Sequence, residues 1–177
     1  FTFPAHQGMI LPAVYKWPNR FDALALSVGA TMPDVTDSVS GFFINGYFKQ
    51  WWGHSLVGIL AFDIPGGLVL TWILTVVAAR ILKKPPRGNT PCDWLNMLGI
   101  SSFSTLIGVL SHLAFDLISY DTNLLLYPWY DNPHWLSKWW YTTWFKIPVL
   151  PMFGYSYSVG LFTVMWLTLS SIGVVLF

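Results

Sequence analysis

A histidine and an aspartate stand four residues apart in Ser111-His112-Leu113-Ala114-Phe115-Asp116, near the end of a long apolar stretch. On a helix this spacing puts both side chains on one face. An imidazole and a carboxylate projecting together can coordinate a divalent metal. Ionisable groups are costly beside hydrocarbon and usually face a site or a partner. The bland alternative is a mutual hydrogen bond that ties two helices together.

Other residues of the same chemistry are His54 in Gly53-His54-Ser55-Leu56, Asp63 before Ile64-Pro65, Asp34 in Met32-Pro33-Asp34-Val35-Thr36-Asp37, and His6 near the start. Each also has a plain structural reading. His6 suits an interfacial residue in a mobile terminus, Asp34 a cap on the helix after Pro33, His54 a headgroup-level anchor and Asp63 an N-cap. Asp37 reads as solvated. His134, between Pro133 and Trp135, falls outside the group. Gly99-Ile100-Ser101-Ser102 is no nucleophile elbow, and neither a P-loop nor a paired-glycine nucleotide signature occurs. Ser101, Ser102, Ser104 and Thr105 are expected to pack between helices.

The elements that must position these groups follow from composition. The 177 residues are 54% hydrophobic, 18% aromatic and only 10% charged, where an average soluble domain carries about 25% charge. All eight acids are Asp and the net charge is +1. Disorder, a coiled coil and an electrostatic nucleic-acid binder all need charge that this chain lacks. A single cysteine, Cys92, excludes a disulfide framework and a Cys-based zinc site. The expected partner is the lipid bilayer, not nucleic acid.

Three segments are expected to span that bilayer, which takes about 20 helical residues. They lie within Ser55–Leu82, at about Met97–Ser119 and at about Tyr155–Phe177, with the first spanning helix proper starting near Asp63 and His54–Phe62 a short helix at the membrane edge or a kinked extension. Phe21–Thr31 and Val35–Phe48 suit a short helical hairpin that dips into the membrane or packs under the other helices, with a fourth spanning helix as the alternative. Arg80, Lys83, Lys84 and Arg87 between the first two spans predict a cytoplasmic loop. His54, Asp63, His112 and Asp116 then fall toward the opposite, non-cytoplasmic face. Asp34 and His6 can reach the same depth, so three His and three Asp converge. Tyr120–Pro151 is rich in Trp and Tyr and reads as an interfacial loop or helix, serving as an anchor or, alternatively, a substrate lid. The chain opens without Met, which suits a processed or an incomplete start, and it stops in the apolar run Gly173–Phe177, so its C-terminus is expected to lie further on.

Phe1-Thr2-Phe3-Pro4-Ala5-His6, Met32-Pro33-Asp34, Gly53-His54-Ser55-Leu56 and Ser111-His112-Leu113-Ala114-Phe115-Asp116, in that order, resemble a bacterial family of uncharacterised membrane proteins. These are similar to the inner-membrane metal-dependent hydrolases of the LexA-regulated type. The resemblance spans about residues 1–120. It implies a divalent-metal site with His6, Asp34, His54, His112 and Asp116 as ligands, and with Asp63 as the acid that follows the His-Ser element. The hydrolases often carry His-Arg-x-x-x-His-Ser, whereas Lys49 and Gln50 stand five and four residues before His54 here. A metal so bound lowers the pKa of its water and polarises the bond under attack. Asp34 or Asp63 then holds the water or acts as general base.

The fold expected is an all-α integral membrane protein of one domain with at least three transmembrane helices. Its parts are short N-terminal helices (1–53), the first two spans with the metal site (54–119), an aromatic interfacial segment (120–154) and a last span (155–177). The function expected is metal-dependent hydrolysis of a lipid or amphipathic phosphoester in the bacterial inner membrane. Zinc is the first choice of metal, with manganese or iron as alternatives. The rival is a non-catalytic accessory subunit that binds other membrane subunits and keeps the His/Asp cluster as a structural site. A third reading, His112 as axial ligand to a haem or chlorophyll-type pigment, is disfavoured by Asp116 one turn away.

Overall fold

The computed structural model describes residues 4–42, 52–83, 91–119, 142–150 and 155–176. Three short helices open the chain, α1 (Ala5–Lys16), α2 (Ala23–Gly29) and α3 (Met32–Ser40). The Asp22 carboxylate caps α2 by accepting from the backbone N–H of Leu24 and Ala25 at 3.0 and 3.1 Å. Its other oxygen accepts from Ser101 Oγ at 2.8 Å, while the Asp22 N–H donates to Ser104 Oγ at 2.8 Å. Two of the hydroxyls expected between helices therefore pin the start of α2. Pro33 sits in the first turn of α3, where its missing N–H costs nothing. The expected hairpin over 21–48 is thus α2 and α3, with residues 43–48 outside the described ones.

Helix α4 runs over Leu56–Ile81 and helix α5 over Pro91–Ser119, with Leu95–Asp116 the apolar part of α5. Both are long and apolar enough to cross a membrane. Ahead of Asp63 the chain is helical as well, so the kinked-extension alternative for His54–Phe62 describes α4. The helix is continuous through a wide π-turn at Ile59–Asp63, and Asp63 has helical backbone angles and caps nothing. Pro65 lacks an N–H and crowds the preceding turn. The chain answers by widening that turn rather than by ending the helix.

Of the third expected span, Tyr155–Gly160 is a strand, β2, and Leu161–Leu176 is an apolar helix, α6, of 16 residues. A third crossing is not shown. The strand β1 (Thr143–Leu150) pairs antiparallel with β2, bringing Thr143 opposite Gly160 and Ile147 opposite Tyr157. A run that alternates Tyr-Ser-Tyr-Ser has the period of a strand, not of a helix. The described residues are therefore mostly helical, with a two-stranded sheet beside the helices. The part of the aromatic segment in 143–150 is strand instead of loop or helix, and residues 120–141 lie outside the described ones.

Glycines let backbones touch in two helix pairs. Helix α1 packs on α6, where a methyl on Gly8 would lie 1.8 Å from the Leu169 carbonyl oxygen. Helix α2 crosses α5, where a methyl on Gly108 would lie 2.4 Å from the Leu26 carbonyl oxygen and 2.7 Å from the Ala30 nitrogen. Around the second crossing Val28, Met32, Ile59, Val109 and Leu113 form one buried cluster. The outward faces of α4 and α5 expose Val69, Trp72, Ile73, Leu95, Leu98 and Phe103. Helix α1 is thus packed mainly on α6, and α2 and α3 on α4 and α5.

Candidate metal centre

The centre is assembled from the C-terminal turns of α5, the residue pair before α4, and the starts of α1 and α3. His112 is fully buried, and its Nδ1 lies 2.7 Å from the carbonyl oxygen of Ala30 at the end of α2. A carbonyl can only accept, so Nδ1 carries the proton and Nε2 its lone pair. His54 is treated alike by a different partner. Its Nδ1 lies 2.7 Å from Asp37 Oδ2, and the other Asp37 oxygen accepts from the Gly53 N–H at 2.7 Å.

With both far nitrogens held, the two Nε2 atoms converge 3.2 Å apart. Asp116 Oδ2 completes the triangle at 2.8 Å from His54 and 3.2 Å from His112. A tetrahedral ion with bonds of about 2.0 Å has edges of about 3.3 Å, so these separations fit three corners around one ion. Two lone pairs and a carboxylate at this range repel unless a proton or a cation lies among them. The donor set, two imidazoles and a carboxylate with their outer partners in place, suits a divalent ion.

A second group overlaps the first. His6, Asp34 and His112 have ligand atoms within 4.8 Å of one another, as do His54, His112 and Asp116. His6 is 2% exposed and stacks on His112 at 3.8 Å between ring centroids, with Phe115 edge-on to it at 5.8 Å. The mobile-terminus reading of His6 is therefore corrected. Asp34 Oδ1 stands 3.8 Å from His112 Nε2, and its side chain is one-third exposed. Because Ala30 engages His112 Nδ1, both groups draw on the same His112 Nε2.

Protonation follows the same contacts. Burial opposes a charge on His54, but hydrogen bonds to Asp116 and Asp37 outweigh it and raise its pKa to about 10. Burial pushes the Asp34 carboxyl above its ordinary value, with His112 and His54 pulling the other way.

Five of the six expected ligands, His6, Asp34, His54, His112 and Asp116, meet here. Asp63 does not join either group. It is fully buried and accepts from Thr36 Oγ1 on α3, and its Oδ2 has no hydrogen-bond partner among the described residues. Sequence reasoning missed Asp37, read as solvated but 5% exposed and holding His54. Its signal was the three-residue spacing from Asp34, which puts both on one side of a helix started by Pro33. Lys49, Gln50 and His134 lie outside the described residues.

Comparison with known proteins gives one result. No curated protein and no solved structure matches the chain. The family model described as Domain of unknown function (DUF4184) matches residues 1–173. With almost the whole length matched, the chain belongs to the DUF4184 family.

Proposed function

We propose that this protein is an integral membrane, metal-dependent hydrolase acting on a lipid or amphipathic phosphoester. The observation that carries the reading is the pair of histidines whose Nδ1 atoms are each engaged, so that both Nε2 atoms face Asp116 within 3.2 Å. The likeness of its motifs to the inner-membrane hydrolases supports the same reaction class. Zinc is the first choice of ion, manganese or iron the alternatives. The exposed apolar faces of α4 and α5 favour a bilayer around them. The cations Arg80, Lys83, Lys84 and Arg87 follow the end of α4 remote from the centre, which favours a cytoplasmic loop there and a centre toward the non-cytoplasmic face of an inner membrane.

His54, His112 and Asp116 would hold the ion, leaving the side of His6 and Asp34 for water and substrate. A divalent ion supplies Lewis acidity and makes a water nucleophilic near neutral pH. Asp34 is the group for the proton. It is the most exposed carboxylate of the centre, and burial moves it toward the range useful to a general base. Asp37 keeps the His54 ring turned and its Nε2 directed at the centre. The Ala30 carbonyl does the same for His112.

The accessory-subunit reading is favoured by one observation, the near-complete burial of His54, His112 and Asp116 at 4, 0 and 3% exposed, as in a closed structural site. One experiment tests the centre. Protein purified in detergent without chelators is assayed for metal by mass spectrometry beside a His112→Ala/Asp116→Ala variant. The expected result is about one equivalent in the parent and none in the variant. Folded protein without metal in both sinks the hydrolase reading. Metal with a stoichiometric membrane partner and no phosphodiester hydrolysis favours the accessory subunit.

A further inference from the structure

On the side of α3 away from Asp34 lies a cleft of about 490 Å³, lined by Met32, Val35, Thr36, Val39, Ser40, Trp52 and Phe62. Its lining presents almost no polar surface, although two of these residues carry hydroxyls. The reason is local. Thr36 Oγ1 donates to Asp63, and Ser40 Oγ donates to the Asp37 carbonyl at 3.2 Å, so both hydroxyls are spent on the protein itself.

Water in a cavity needs two to four polar partners, and this cleft offers none. At roughly 30 Å³ per water-sized group, its volume holds about 16 methylene-sized units. Three of the lining residues reach the surface, Val35, Val39 and Phe62 at 36, 52 and 52% exposed. Phe62 belongs to α4, which also exposes Val69 and Trp72. The cleft thus opens on the skin that the surrounding hydrocarbon covers.

We infer that this cleft is a binding site for one lipid acyl chain, held between α3 and the π-turn of α4. The inference rests on the membrane reading and does not depend on hydrolysis. If a lipid is also the substrate, α3 is the one element that carries the chain on one side and Asp34 on the other.

The test reconstitutes the full chain in phosphatidylcholine vesicles doped with a phospholipid bearing a diazirine on one acyl chain. After irradiation, labelled residues are mapped by peptide mass spectrometry. Enrichment on Val35, Val39 and Phe62 over the outward residues of α4 and α5 is expected. In Val39→Trp, which fills the cleft, label at Val35 and Phe62 should fall about tenfold or more while bound metal is retained. Even labelling of all outward faces, or enrichment that survives Val39→Trp, overturns the inference alone. Absence of label from α4 and α5 overturns it together with the membrane reading. Efficient chain-to-chain disulfide formation in Val39→Cys/Cys92→Ser assigns the cleft to a second copy and overturns it too.

Discussion

His112 on α5 donates its Nδ1 proton to the carbonyl oxygen of Ala30, 82 residues earlier, across 2.7 Å. This one contact sets the tautomer of the residue common to both ligand groups. It exists because Gly108, one turn before His112, lets the backbones of α5 and α2 touch. The chemistry of the imidazole is therefore coupled to a helix crossing.

Replacing Gly108 by alanine should loosen the centre without touching a ligand. The added methyl meets backbone at 2.4 Å, which no side-chain rotation relieves. Outer partners of metal ligands are typically worth 10- to 100-fold in affinity, and a loss of about that size is expected for Gly108→Ala. Competition with a chelating dye measures it, with circular dichroism to show retained helix. Unchanged affinity would separate the crossing from the tautomer.

Asp37→Asn should weaken metal binding by about 10- to 100-fold, since the charge that steadies the His54 Nδ1–H is removed while the shape is kept. Asp37→Ala should also lower stability by about 1–3 kcal/mol, because the Gly53 N–H loses its partner in a buried place. Denaturation in detergent, compared across the two variants, distinguishes the charge effect from the lost acceptor.

Asp34→Asn should leave the ion bound, through His54, His112 and Asp116, and lower turnover by about 10²- to 10⁴-fold. Metal content and phosphodiester hydrolysis are read on the same preparation. Loss of the metal along with activity would make Asp34 a ligand rather than the base.

The pH dependence has a definite sign. The pKa of His54 is raised to about 10 in the folded, metal-free protein, against about 6.5 for a free histidine. The stability it contributes is complete below the unfolded value and is lost as pH rises through about 10. A metal ion has to displace that proton, so apparent affinity should rise with pH up to the same value, with a proton released on binding. Metal titrations at three pH values in two buffers of different ionisation enthalpy test this. Affinity that falls as pH rises would contradict it.

Gly173→Ala should destabilise the packing of α1 on α6, because its methyl would lie 2.2 Å from the Pro4 carbonyl oxygen. Overpacking of this kind costs about 1–3 kcal/mol. His6 rides on α1, so the variant should also disturb the His6–His112 stack. A lowered thermal midpoint checks the first effect. An altered His6 signal in histidine-selective NMR checks the second.

Much of this was readable from the chain. Low charge and two long apolar runs announce helices α4 and α5, since span length and hydropathy are properties of contiguous residues. The four-residue spacing of His112 and Asp116 fixes their common face, because helical periodicity is local. Local pattern failed where two periods competed. Tyr155–Gly160 is apolar enough for a span, yet its alternation suits a strand, and pairing with Thr143–Leu150 decided between them. Tertiary structure alone settled the rest of the centre. Asp37 reads as solvated until His54, from another element, takes its carboxylate. Asp63 reads as a ligand or a cap until the π-turn aims it at Thr36. The proton on His112 is decided by a carbonyl 82 residues away. Hydrogen bonds between distant elements depend on how helices cross, and that crossing is set by side-chain volume at Gly108 and its neighbours rather than by any spacing along the chain.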